Sequence, residues 1–454
     1  MSQRVEIDPG RVEELIRREE AALVDKQPRS IEFYKRASQS LAGGVACGWH
    51  DSPPHVVYAN YGKGSKLFDL DGNEFVDYYL GYGVMIVGHT HPKVVEAVRR
   101  RIGLGSHFAM PTEDAVAVAE NLAERFGLPL WRFKNSGSES TLDAVRIMRT
   151  ATGRDLVVKI EGCYHGSSDS LDFSVAPSPE DVGPPDRPAA VPQTAGIPAR
   201  FGELLRIVPY NDLEAMERTL SAEAGRIAGV ILEPIMLNIG VVPPEPGYLQ
   251  GLRELTRRHG VLLAFDEVKT GATIAYGGAV EWSGVLPDVV ALAKAIGGGV
   301  PCGAVGGTEE VMRVVVDGEF EQEGTFNGNP LTMASARATL TEVLTRDAYA
   351  HLEELRTSLA GGVEGVLERY RFPATVNAFG ARGGIQHRAE PVRNYRDHLG
   401  VNERRIYLAW LYQANRGVLE PPWGDPWSIS VQHSTDDIAR YVENFEGFVA
   451  ELTG

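Results

Sequence analysis

Lys294 ends an apolar run, Ala291-Leu292-Ala293-Lys294, and a Gly297-Gly298-Gly299 turn follows it. An amine set among apolar residues has its charged form disfavoured. It is then a nucleophile near neutral pH and forms a Schiff base with an aldehyde. Asp266 stands 28 positions upstream, at the end of a second apolar run, Leu262-Leu263-Ala264-Phe265-Asp266. A carboxylate in such a setting persists only opposite a cation, and the pyridinium nitrogen of pyridoxal phosphate is one. Together the two residues predict a cofactor enzyme.

A cofactor phosphate needs backbone N–H groups and hydroxyls at a helix start, where the helix dipole also favours an anion. Asn135-Ser136-Gly137-Ser138-Glu139 offers them immediately before the helical stretch Leu142 to Arg149. Capping of that helix by a serine explains the same turn by itself. Gly162-Cys163-Tyr164-His165-Gly166 brings an aromatic ring that could stack on a flat heteroaromatic one. Glu233-Pro234 follows another apolar run, and a solvated turn carboxylate is its plainer reading. The polar turn Gly324-Thr325-Phe326-Asn327-Gly328 carries a further hydroxyl in Thr325.

These residues sit where alternating strands and helices would place them. Leu156–Ile160, Ala228–Leu232 and Val261–Phe265 are short continuous apolar runs, as strands buried in a parallel sheet are. Pro92 to Arg101 and Glu113 to Phe126 have helical spacing. The alternation predicts an α/β domain, whose ligands bind beyond the carboxyl ends of its strands. Residues 11 to 40 read as helix, interrupted near Pro28. Ser65 to Tyr78 reads as a hairpin about Asp71-Gly72-Asn73. Residues 174 to 205 are rich in Pro, Ala and Gly without periodicity, so they form a lid or binding loop, or a surface insertion. We therefore expect an N-terminal helix and hairpin segment over 1–75, a large α/β domain over 76–335 and a smaller C-terminal domain over 336–454.

Composition fits this picture. The chain has 454 residues, 43% hydrophobic and 23% charged, which is ordinary for a globular protein and long enough for more than one core. A formal net charge of −16 argues against nucleic acid or an anionic membrane as partner. Three scattered cysteines suggest neither a disulfide framework nor a metal site. The N-terminus is charged and has no apolar signal core, and no run is long enough to span a bilayer. A cytoplasmic location is the expectation.

Taken in order, the motifs resemble the class III branch of the fold-type I pyridoxal-phosphate-dependent aminotransferases, and within it the glutamate-1-semialdehyde 2,1-aminomutase group. The likeness runs from Leu41-Ala-Gly-Gly-Val45 to Ser428-Ile-Ser-Val-Gln432-His433-Ser-Thr-Asp436-Asp-Ile438 and takes in Gly88-His-Thr-His-Pro92 and the segments quoted above. It implies a large domain with a mostly parallel seven-stranded sheet flanked by helices, and a smaller α+β domain built from the two chain ends. It also implies that Lys294 carries the cofactor and moves the substrate proton, while Asp266 pairs with the ring nitrogen. Val268 and Tyr164 would cover the two ring faces. Ser136, Gly137 and Ser138 would hold the phosphate, with Thr325 joining from a partner subunit of a homodimer. Asn238, and beside it Glu233, would face the ring hydroxyl, and His165 belongs to the same cofactor-binding set.

The substrate side departs from the aminomutase pattern. His50 stands roughly where those enzymes carry a carboxylate-holding arginine, and Tyr82 where they tend to have tryptophan. Histidine lacks the arginine fork, and its charge is uncertain near neutral pH. The expected activity is therefore ping-pong transfer of an amino group from an amino acid or amine to a carbonyl acceptor. The alternative is an isomerase, either an aminomutase or an epimerase. His50, Tyr82 and Gln432 are the substrate candidates. Arg382 and Arg416 are alternative carboxylate anchors, with an ordinary surface position the competing reading for both.

Overall fold

The structure, a computed structural model, describes residues 4–223 and 225–454. Two helices, Pro9–Lys26 and Pro28–Ala37, lead the chain, divided at Gln27 because Pro28 opens the second one. Strands β1 (Ala59–Lys63), β2 (Lys66–Asp69) and β3 (Glu74–Asp77) then form an antiparallel meander, with the Asp71-Gly72-Asn73 turn between the last two. Asp69 fixes this turn by accepting from the backbone N–H groups of Asp71 and Asn73.

The large sheet follows. Its strands are β4 (Leu130–Lys134), β5 (Leu156–Ile160), β6 (Leu205–Val208), β7 (Ile227–Leu232), β8 (Leu262–Asp266), β9 (Val289–Ala293) and β10 (Gly303–Gly307), in the spatial order 4-10-9-8-7-5-6. All are parallel except β10, which runs antiparallel to both β4 and β9. Strands β5, β7, β9 and β10 are buried along their whole length, which is why β5 and β7 read as short apolar runs. The helix Gly137–Thr152 packs across β7, β8, β9 and β10.

Because β4, β5, β7, β8 and β9 share one direction, their carboxyl ends lie along one edge. That edge receives Asn135 and Ser136 after β4, Tyr164 and His165 after β5, and Glu233 after β7. It also receives Asp266 at the end of β8 and Lys294 after β9. The sheet thus gathers residues scattered over 160 sequence positions, from 135 to 294.

The chain ends build a second body. The helix Arg346–Arg369 packs on the last helix, Thr435–Thr453, and Pro9–Lys26 packs on Glu403–Asn415. Strands β11 (Thr375–Phe379), β12 (Arg382–Gln386) and β14 (Trp427–Ser428) form a small antiparallel sheet. Between them in sequence, β13 (Val418–Leu419) pairs in parallel with β3, so the N-terminal meander and the C-terminal region are joined by main-chain bonds. The expected boundaries after 75 and 335 fall inside β3 and inside the helix Pro330–Arg337.

The segment 174–205 is tied down along its length. Ser174 Oγ donates to the Ala189 carbonyl at 2.6 Å, and Tyr395 Oη donates to the Pro177 carbonyl at 2.7 Å. The Arg396 guanidinium donates to the Val182 and Gly183 carbonyls.

Candidate active site

A cavity of about 780 Å³ opens at the carboxyl edge of the sheet, and Ser136, Gly137, Ser138, Tyr164, His165, Glu233, Asn238, Asp266, Val268 and Lys294 all line it. Asp266 and Glu267 are adjacent buried acids with separate tasks. Asp266 Oδ2 lies 2.6 Å from His165 Nδ1, and its Oδ1 accepts from the Val268 amide at 3.0 Å. Glu267 turns away to accept from Thr270, Ala279 and Val280, where it caps the helix Gly278–Ser283. Burial pushes the Glu267 carboxyl up to about 7. His165 is fully buried, and its Nε2 has no partner among the described residues. The site thus holds a positioned carboxylate with a histidine behind it.

Lys294 begins a short 3₁₀ turn, Lys294–Gly297, with φ at +52°. A residue with a Cβ in that left-handed region costs about 1–2 kcal/mol, so packing on both sides must hold it there. Burial, then the nearby Lys269 ammonium, push the Lys294 amine down to about 8, while Asp266 pulls the other way. At that value a useful fraction of the amine is neutral near physiological pH.

The start of the helix Gly137–Thr152 is an anion cradle. The Gly137 and Ser138 amides have no hydrogen-bond partner among the described residues. The Ser136 hydroxyl is already engaged. It caps the helix by accepting from the Glu139 amide and donates to Glu139 Oε2 at 2.9 Å. Gly166 closes the far side, and a Cβ there would come within 2.4 Å of Ser138 Oγ and 2.5 Å of Ser138 Cα. Its φ of +90° also disfavours any side chain. Gly166→Ala is expected to lower the apoprotein's affinity for pyridoxal phosphate by at least about tenfold with little change in fold, because the cradle must open to admit the methyl group. Fluorescence titration of the apoprotein measures it.

Glu233 organises the neighbouring edge. Its Oε1 accepts from the Tyr164 amide at 2.9 Å and from Asn238 Nδ2 at 2.7 Å, and its Oε2 accepts from the Leu237 amide. These residues fit pyridoxal phosphate. They supply a lysine amine, free amides for the phosphate, a buried carboxylate for the ring nitrogen and an aromatic ring beside them.

The substrate candidates are divided. Tyr82 lines the cavity. His50 is exposed and does not, because the turn Gly48–His50 presents Trp49 to the cavity in its place. Gln432 lies outside too, donating to the Val87 carbonyl at 2.8 Å. Thr325 is exposed and outside the cavity of its own chain. Arg416 is paired with Glu19 and stacked on Tyr412, among the chain-end helices. Arg382 is no surface residue, since it is 1% exposed and donates to Ser428 Oγ.

Sequence reasoning passed over Trp49, Lys269, Trp423 and Asp425, which complete the outer wall. Trp49 packs against Tyr82 at 5.3 Å and Tyr164 at 5.6 Å between ring centroids. The loop Glu420-Pro-Pro-Trp423-Gly-Asp425 carried a usable signal, an aromatic and an acid in a Pro- and Gly-rich connection.

The aminotransferase class-III family profile matches residues 49–425. A glutamate-1-semialdehyde 2,1-aminomutase of Staphylococcus carnosus is 38% identical over 94% of this chain and 99% of its own length. The crystal structure of an omega-transaminase from Sphaerobacter thermophilus superposes with a TM-score of 0.90 at 34% identity, covering 95% of this chain and all of that one. A glutamate-1-semialdehyde-aminomutase from Pseudomonas aeruginosa gives 0.91 at 32% identity, covering 98% of this chain and 99% of that one. A lysine-to-alanine variant of the Pseudomonas enzyme was solved in complex with PMP.

Proposed function

We propose that this chain, which belongs to the class III aminotransferases and uses pyridoxal phosphate, moves an amino group from an amino acid or amine donor to a separate carbonyl acceptor. When bound, the cofactor supplies an aldehyde for the amino group and a ring that accepts electrons from the carbon beside it. Lys294 Nζ takes and returns the substrate proton, a task suited to a group that titrates at about 8. Asp266, held by His165 and the Val268 amide, keeps the ring nitrogen protonated. The Gly137 and Ser138 amides take the phosphate, and Val268 and Tyr164 cover the ring. The observation that carries transfer between molecules is the outer wall. No arginine lines the cavity among the described residues, and His50 lies outside it, so the arginine that holds the substrate carboxylate in an aminomutase has no counterpart among them.

Intramolecular transfer is the second reading, favoured by the 38% identity to an aminomutase over nearly the whole chain. Mixing the holoenzyme with a panel of amine donors and either pyruvate or 2-oxoglutarate separates the two. Stoichiometric alanine or glutamate supports transfer between molecules. Conversion of glutamate-1-semialdehyde to its isomer, with no transfer to either acceptor, would sink it.

A homodimer with shared sites belongs to the same proposal. Thr325 sits beside Phe326, which is 61% exposed and 5.3 Å from the His107 ring, and Met110 nearby in sequence is 72% exposed. Exposed apolar residues grouped in this way support a buried interface between copies. Sedimentation of the holoenzyme, with Thr325→Ala tested for weakened cofactor binding, checks it.

A further inference from the structure

With Lys294 given to the cofactor and Asp266 to the ring nitrogen, the cavity retains one lysine or arginine among its described lining residues, Lys269. It stands three positions after Asp266, in the turn that leaves β8. Its Nζ donates to the Leu237 carbonyl at 2.6 Å and to Asp425 Oδ1 at 2.9 Å. An ammonium has three donors, so one is left for a ligand. Asp425 lines the same wall. Arg382 is buried on β12, where burial pushes its guanidinium down to about 10 while Asp425 pulls the other way. Its Nε is buried without a partner.

Asp425 is the one described carboxylate within ion-pair distance of Lys269, and the other acids that line the cavity, Asp172, Glu233 and Asp266, make no ion pair with it. The remaining N–H of a largely buried ammonium favours an anionic ligand. Three aromatic side chains line the same cavity, of which Trp49 and Trp423 are 49% and 53% exposed and Tyr82 packs against Trp49. We propose that Lys269 is the substrate-carboxylate anchor of this enzyme, with Asp425 as its resting counter-ion. The aromatic wall of Trp49, Tyr82 and Trp423 takes the apolar part of an amino-acid or oxo-acid substrate. The assignment rests on the reading of this cavity as the cofactor and substrate site, and it holds for transfer between molecules or within one. A lysine suits the task because it offers a point charge with rotatable donors, and needs no bidentate geometry.

Two reagents that attack the bound cofactor at the same atom test this directly. Aminooxyacetate carries a carboxylate and methoxyamine does not. The absorbance change on reaction with the holoenzyme gives a rate constant for each, and their ratio isolates the carboxylate from any effect on Lys294. Lys269→Met and Lys269→Gln are expected to lower the aminooxyacetate-to-methoxyamine ratio by about tenfold or more, the loss of one charge-assisted hydrogen bond. Lys269→Arg should restore most of it, and Asp425→Asn should raise it by removing the competing anion. Lys269→Gln keeps a donor for Leu237 and Asp425, so a folded holoenzyme is available even if the methionine variant is poor. An unchanged ratio in both neutral variants would overturn the assignment. Absence of amino transfer to pyruvate and 2-oxoglutarate, with the ratio still falling, would instead count against transfer between molecules and leave the anchor standing.

Discussion

Replacing Lys294 by alanine is expected to leave a folded, cofactor-binding protein whose turnover falls by at least about ten-thousandfold, with no cofactor fixed to the chain by borohydride. Loss of both proton transfer and covalent attachment sets this magnitude. The other amine in the cavity cannot substitute, because Lys269 is held by the Leu237 carbonyl and Asp425. Alanine keeps the Cβ that already sits at φ +52°, so the backbone strain is unchanged and stability should move little. The parent apoprotein gives a matching pH signature. Burial puts the Lys294 amine at about 8, and only its neutral form attacks an aldehyde. Covalent recombination with the cofactor should therefore be slow below that value, rise through it and level off above. A rate rising only near pH 10 would show that the amine is not desolvated.

Most of the large domain was legible because its strands are buried on both faces, so their apolar runs carry no competing surface pattern. Leu156–Ile160 appears as a strand with the bounds expected, and Asp266 stands at the end of β8 as anticipated. The antiparallel course of β10 was not legible. Its sequence, Gly303-Ala-Val-Gly-Gly307, is too short and too rich in glycine to show a direction. The closure of the chain ends was hidden for another reason. Strand β13 has two residues and pairs with β3 some 340 positions away, a contact no local pattern encodes.

In the site, a residue that ends an apolar run is easier to find than one on a loop. Lys294 and Asp266 are marked by the apolar runs before them, so burial and chemistry coincide in the sequence. Trp49 and Asp425 come from a 3₁₀ turn and a proline-rich loop, and only tertiary contact brings them to the cavity. His50 shows the cost of reading position alone. One residue along a tight turn reverses which side chain meets the cavity, so Trp49 enters and His50 faces solvent. Arg382 was misjudged in the opposite direction. Its strand, Arg382-Gly-Gly-Ile-Gln386, has no bulky neighbours to announce burial, yet Ser428 across the sheet and the Gly83 turn lie against it.

Asp266→Asn should be the most damaging change that removes no lysine. The amide is close in shape, so the fold and the approach of Val268 survive, but the negative charge facing the ring nitrogen is lost. Without it the ring is no longer held protonated and accepts electrons poorly. Turnover should fall by about 10²–10⁴-fold, with a smaller loss of cofactor affinity. Steady-state kinetics and cofactor titration separate the two effects. Asp266→Ala should in addition destabilise the protein by about 1–3 kcal/mol, because His165 would then be buried with neither ring nitrogen partnered. The histidine supplies the discriminating control. If Asp266 served only to hold His165, replacing His165 by phenylalanine would cost as much as Asp266→Asn. If the carboxylate acts on the cofactor, His165→Phe merely loosens it, since the Val268 amide still holds Oδ1. The phenylalanine variant should then retain at least about ten times the turnover of Asp266→Asn, because a positioned charge is worth more than the contact that positions it.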